Sequence, residues 1–327
     1  MQLIKVTLIV VTLFGLNISA GLAETYPTRP IRLIVPLGAG SAGDALARLL
    51  STELGKTLGQ PIIVDNKVGA GGTIAMSEIA RSNPDGYTLG FAFSGSMVFN
   101  MALFKKPGYD PKVDFAPIAL VGGLSNVLVV PENSPYKTVS ELLVAIKSKP
   151  PNTFTYSSSG TGTSHHIAGV LFESLTNTKI LHIPYKTAPQ GVIALLGNEV
   201  DMGFYNVPVV INQIRTQKLR PLALTTVQKS SQLPSVPTLS ESGVKGYELF
   251  TWLGFVAPAK TSTTIVNRIN AELSKIIASP AIHEKMIAQG YDVPSTPLLS
   301  PEMFTKVIQG DLAKWPPIIR TSGVEPE

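Results

Sequence analysis

The chain has no cysteine among its 327 residues. That excludes a disulfide scaffold and removes the acceptor for an N-terminal lipid anchor. Histidine is scarce as well, with four residues. No H-E-x-x-H occurs, and only Glu284 beside His283 sets a carboxylate next to one of them, so no metal ligand set is expected. Neither sign of charge prevails: 27 basic and 22 acidic residues are scattered along the chain, and the longest basic run is Lys105-Lys106. That is no nucleic-acid footprint, and no nucleic-acid partner is expected. Nor is there a G-x-S-x-G elbow to present a serine nucleophile.

What is present begins with MQLIKVTLIVVTLFGLNISAGLA. Lys5 lies in a short basic region, Val6 to Ile18 are predominantly apolar, and Gly21 and Ala23 put small residues at the −3 and −1 positions. This predicts a signal peptide over 1–23, too short in its apolar part to serve as a membrane anchor. An extracytoplasmic protein is therefore expected, soluble and without a further span. Its net charge, near +4 once Lys5 is gone, gives a mild field favouring small anions.

The remainder alternates short β-rich runs with helical patterns. Ile31–Val35 reads as a strand, 44–58 as a helix, 61–64 as a strand, Thr73–Arg81 as a helix and 87–93 as a strand. A second series starts near Leu124, with strands at 127–130, 154–157, 180–183, 200–204 and 219–225 and helices between them. Such alternation predicts parallel sheets of the α/β class. After Thr226 an extended run at 247–257 and helices at 264–278 and 301–314 are too few for a domain of their own and should pack back on the first series. The expectation is two α/β lobes, 24–123 with 227–327 and 124–226, joined by crossings near 122–126 and 225–230.

Three glycine- and serine-rich loops follow strands: LGAGSAGD (37–44), SGSM (94–97) and SSSGTGTSHH (157–166). In open parallel sheets ligands lie beyond the carboxyl ends of strands, where helix N-termini offer unpaired N–H groups to anions. Gly38, Gly40 and Gly43 also spell G-x-G-x-x-G, with Asp65 ending the next apolar run, which is the dinucleotide fingerprint. Pro36 before the first glycine and export from the cytoplasm both speak against NAD, and no cofactor is expected. Ser164 with His165 and His166 invites a hydrolase reading, with Asp44 or Asp201 as third member, but spacing alone assembles no triad. His165 or His166 is expected in a first helical turn, one of them facing the cleft. Pro184-Tyr185-Lys186 and Asn206 are further cleft candidates, Asn206 equally a helix cap.

With these loops in place the chain resembles the substrate-binding proteins of tripartite tricarboxylate transporters, the Bug/TctC family. The likeness runs through YPTRPIRLIVP, VDNKVGAGGTIA, PDGYTLGF, YSSSGTGTSHHIAG, HIPYK, LLGNEVDMGF, KLRPLALTT, LPSVPTLSESG and the Trp252-containing segment, in that order. It implies a type II periplasmic-binding-protein-like fold, with two lobes closing on a small di- or tricarboxylic or aromatic acid. It implies no catalysis, a membrane permease as partner, a sensor kinase as an additional one, and a monomer. The residues it implies at the ligand are Leu37, Ala39, Gly40, Ser41, Ala42 and Asp44 in the first loop. Ser158, Ser159, Gly160, Thr161, Gly162, Thr163, Ser164 and His165 follow in the second, with Ser94, Tyr205 and Asn206. The family's first loop usually reads P-x-x-P-G-G-x-x-D; here Ala39 and Ser41 replace the second Pro and second Gly. Tyr205 stands where an Asp is frequent, which removes a partner for a ligand ammonium.

Overall fold

The computed structural model describes residues 26–230, 232–293 and 300–321, with Val324 and Pro326. Residues 1–23, expected from the sequence to form a signal peptide, lie outside the described residues. Among them no helix is long and apolar enough to cross a membrane.

The first series folds as β1 (Ile31–Val35), α1 (Ala42–Leu58), β2 (Ile62–Asn66), α2 (Thr73–Arg81) and β3 (Thr88–Phe93). β1 lies between β2 and β3, parallel to both. Every residue of β1 except Arg32 is buried, as expected of a parallel strand covered on both faces. α1 buries Leu46, Ala47, Leu50, Leu54 and Leu58 on one side, the helical stripe legible in the sequence. A π-helical stretch, Gly95–Phe99, follows β3 and continues into α3 (Asn100–Leu103).

The lobes share one strand. β4 (Phe115–Pro131) pairs antiparallel with β9 (Phe250–Pro258) as far as Ser125. From Asn126 on it pairs with β7 (Met202–Asn206) and β8 (Leu219–Leu224). The second lobe adds α4 (Val139–Lys147), β5 (Thr155–Ser158), α5 (Ser164–Thr176), β6 (Leu181–Pro184), α6 (Ala188–Leu196) and α7 (Val207–Arg215). β5 runs parallel to β6 and β7. The result is a two-lobed α/β fold whose strand order is β2-β1-β3-β9-β4-β7-β5-β6, with β8 on β4.

After β8 the chain keeps hydrogen bonds to the second series beyond residue 230. Leu224 N–H donates to Pro237 C=O, Leu239 N–H to Leu224 C=O, and the Tyr247 hydroxyl to Ala168 C=O at 2.7 Å. Residues 237–247 are thus tied to β8 and α5, and β9 begins at Phe250. Thr225 ties the two crossings together: its N–H donates to Asn126 C=O and its Oγ1 to Leu249 C=O. The tail does pack on the first lobe. α8 (Thr263–Ala278) packs against α1, followed by α9 (Pro280–Ala288) and α10 (Pro301–Thr321). Phe304 of α10 meets the Trp252 ring edge-on, and Trp252 Nε1 donates to Asp311 at 2.7 Å.

Candidate ligand-binding site

A cavity of about 560 Å³ opens between the lobes, with a smaller one of about 40 Å³ behind it. The first lobe supplies Leu37, Gly38 and Ser41 before α1, the Val68–Gly72 loop, Phe93 and Phe104. The second supplies Ser159, Gly160, Thr161 and Thr163 before α5, Tyr185 to Thr187 before α6, and Ala188 at the start of α6. Neither cavity has an Asp or Glu in its lining. The volume suits a small-molecule ligand.

Ser41 caps α1, its Oγ accepting from Asp44 N–H at 3.2 Å. Asp44, expected at the ligand, is instead spent inside the loop. Its carboxylate accepts from Gly40 N–H at 3.0 Å, Asn66 Nδ2 at 2.8 Å and Arg48 Nε at 3.1 Å. Asn66 also donates to Leu37 C=O at 2.8 Å. Burial alone would raise the Asp44 pKa, but the hydrogen bonds from Arg48, Asn66 and Gly40 outweigh it and hold it below the ordinary value. The carboxylate is therefore a scaffold that orients the loop, and the first two amides of α1, Ala42 and Gly43, remain free of protein acceptors among the described residues. Asp44→Ala is expected to destabilise the protein by about 2 kcal/mol and to weaken ligand binding, read by urea unfolding and calorimetry. Because the folded-state pKa is depressed, the wild-type advantage is present above the unfolded value near 3.9. It fades as pH falls through the lower folded value.

α5 begins differently. Thr163 is its N-cap in extended conformation, but its Oγ1 donates back to Gly160 C=O at 2.7 Å and caps nothing. The N–H groups of Ser164, His165 and His166 thus have no protein acceptor among the described residues. They carry the partial positive charge of a helix start. α6 adds Ala188 N–H, since Thr187 takes the Gln190 and Gly191 amides. Ala42, Gly43, Ser164, His165 and Ala188 all line the smaller cavity, so three helix starts from two lobes face it.

Behind the amides runs a buried polar line. His165 Nδ1 lies 2.9 Å from Ser159 Oγ and its Nε2 2.9 Å from Asn206 Oδ1. Asn206 Nδ2 donates to Asn126 Oδ1, and Asn126 Nδ2 to Ser164 C=O at 3.2 Å. Burial pushes the His165 pKa down to about 4, the Asn206 bond opposing. His166 and His182 stack at 4.2 Å, and Ser158 Oγ bonds His182 Nε2 at 2.6 Å. Burial lowers His166 to about 3, with His182 adding repulsion, and burial lowers His182 to about 4.

The structure brings Leu37, Ser41, Ala42, Ser159, Gly160, Thr161, Thr163, Ser164, His165 and Asn206 to the two cavities. It places other expected residues elsewhere. Ala39 and Gly40 are exposed outside the lining, and Gly162 is buried against Asn100. Ser94 Oγ accepts from Trp252 N–H at 3.0 Å, and Ser158 turns to His182. Tyr205 is fully buried and bonds Ser157 Oγ at 2.6 Å, so its ring backs His165 from the core. The loop Val68–Gly72 lines the cavity without having been singled out. Its signal is the density of glycine in VGAGG, where Gly69, Ala70, Gly71 and Gly72 all have positive φ.

Comparison with known proteins places this architecture. The model of the tripartite tricarboxylate transporter family receptor matches residues 46–324. The chain belongs to this family. Among its relatives, Protein BugT of Bordetella pertussis is 32% identical over 305 residues, 93% of this chain and 92% of that protein. A UPF0065 protein from the tcbD-tcbE intergenic region of Pseudomonas sp. strain P51 is 33% identical over 297 residues, covering 90% and 87%. The solved periplasmic binding protein BugD superposes with TM-score 0.85 at 31% identity, covering 92% of this chain and all of that one. R. palustris Rpa4515, solved with adipate, gives TM-score 0.87 at 30% identity with 92% and 100% coverage. MatC of Rhodopseudomonas palustris, with bound malate, gives 0.85 at 28% with 90% and 100%. These family receptors are binding proteins, and this chain shares their lobes and cleft.

Proposed function

We propose that this protein captures a small carboxylate in the periplasm and delivers it to the membrane permease of a tripartite tricarboxylate-type transporter. One observation carries the reading: unpaired first-turn amides of α1, α5 and α6 converge on the smaller cavity at the back of the cleft, and neither cavity has a carboxylate in its lining. Hydrogen bonds to a charged group are worth roughly 1.5–3 kcal/mol each. A few of them, offset by desolvation and ordering, yield micromolar affinity, about −8 kcal/mol. Relatives solved with adipate and malate support an acid as ligand. We place the lobe boundaries at Ser125–Asn126 and Leu249–Phe250, so that closure is a rotation about two neighbouring strands. One copy supplies both walls, which supports action as a monomer.

Capture without turnover is the reading favoured over hydrolysis. Ser159, His165 and Asn206 stand in line, but His165 stays neutral down to about pH 4 and Asn206 brings no charge to steady an imidazolium. A thermal-shift screen of dicarboxylates, tricarboxylates and aromatic acids, with NAD as comparison, tests the proposal. An acid should raise the melting temperature and be recovered unchanged. Stabilisation by NAD alone, or an acid converted during incubation, overturns it.

A further inference from the structure

The buried polar line behind α5 has only one consistent direction, and that direction determines what the cavity asks of its ligand. Ser164 C=O is an acceptor that cannot be reassigned, so the group 3.2 Å from it must be the Asn126 amide nitrogen. Asn126 then presents its oxygen to Asn206, which must answer with its nitrogen. Asn206 in turn presents oxygen to His165 Nε2, which must carry the ring proton. With that ring neutral, Nδ1 is bare, and Ser159 is obliged to donate its hydroxyl hydrogen to it. The chain of necessity starts at a backbone carbonyl and ends at the cavity wall. Thr163 arrives at the same condition by another route, its hydroxyl hydrogen committed to Gly160 C=O at 2.7 Å. Both side chains line the two cavities, and both have only oxygen lone pairs left to offer. Ser41 and Thr187 are the reverse: their oxygens accept from Asp44 and Gln190 amides, so their hydrogens are free.

The wall is therefore divided. Amides, Ser41 and Thr187 offer hydrogens to a carboxylate, while Ser159 and Thr163 offer lone pairs that would repel one. From this polarity we propose that the ligand is a hydroxycarboxylic acid whose hydroxyl donates to Ser159 or Thr163, and that Ser159 is a residue that selects for it. An ammonium donor is disfavoured, because the lining contains no carboxylate to balance it. The inference rests on the carboxylate reading above, and its tests separate the two.

The first test needs no ligand. Nitrogen-15 NMR of the free protein at pH 7 should show His165 in the Nε2–H form with a bare Nδ1; the opposite tautomer overturns the proposal and leaves carboxylate capture standing. The second uses titration calorimetry with succinate and malate, glutarate and 2-hydroxyglutarate, phenylacetate and mandelate. In any pair that binds, the hydroxylated member should bind about tenfold tighter, and Ser159→Ala should shrink that ratio while the melting temperature is held. A ratio near one in the wild type, or one that survives the substitution, overturns the selection by Ser159. Binding by none of the six, with an acid lacking a hydroxyl bound in the thermal-shift screen, overturns the hydroxy-acid proposal and leaves carboxylate capture standing, whereas binding of no acid in either experiment overturns both.

Discussion

Gly162→Val is expected to weaken acid binding at least about a hundredfold, near 2.7 kcal/mol, in a protein that still folds. Gly162 has φ +81°, and a Cβ there would lie 2.5 Å from Asn100 Oδ1, which is fully buried. Asn100 cannot retreat, because its Nδ2 is held on Gly71 C=O at 3.0 Å. The loop before α5 must move instead, and it takes the Ser164, His165 and His166 amides with it. Valine, branched at Cβ, also resists the left-handed region, at roughly 1–3 kcal/mol. The anchors of α5 (Ile167, Ala168 and Phe172) lie further along the helix and remain buried, so circular dichroism should be retained with a melting point lowered by several degrees. Gly246→Ala separates strain from site. Its φ is +77° with nothing within 4 Å of the added Cβ, so it should lose stability and keep affinity. Equal affinities for Gly162→Val and the wild type would detach this loop from binding.

Acid should unfold the second lobe through its histidines. Burial holds His165 and His182 at about 4 and, with repulsion from His182, His166 at about 3, against roughly 6.5 in the unfolded chain. The unfolded state thus takes up protons first, and stability is complete above pH 6.5 and drains as pH falls toward 4. By pH 5 each histidine removes about 2 kcal/mol. Burial raises the pKa values of Glu173, Asp292 and Asp311, which acts in the opposite sense. Their folded values lie above the unfolded values near 4, so that opposition falls within the histidine window and reduces the net loss between pH 7 and pH 5. Urea unfolding at pH 7 and pH 5 measures the difference. Equal or greater stability at pH 5 contradicts the packing of these rings.

Much of this was legible from patterning. The stripe Leu46, Leu50, Leu54 and Leu58 announced α1, and the glycine-serine loops fell after strands as α/β topology requires. The long β4 was not visible, because Pro117 and the Gly122-Gly123 pair interrupt the strand-like pattern and left only 127–130 recognisable. The division of labour within the loops was hidden for a different reason. Asp44, Ser94 and Tyr205 have the right chemistry to meet a ligand. Whether an oxygen faces the cleft or a neighbouring amide is settled by tertiary hydrogen bonds that have no sequence period. The tie of Thr238 to β8 is not legible in the sequence, because the isolated bridge between Leu224 and Thr238 is too short to leave a pattern.

The amide resonances of Ala42, Gly43, Ser164 and His165, followed by proton–nitrogen NMR as a bound acid is titrated in, probe the grip itself. All four should move downfield together and saturate with the calorimetric affinity, whereas shifts confined to other parts of the chain would show the acid held by different groups.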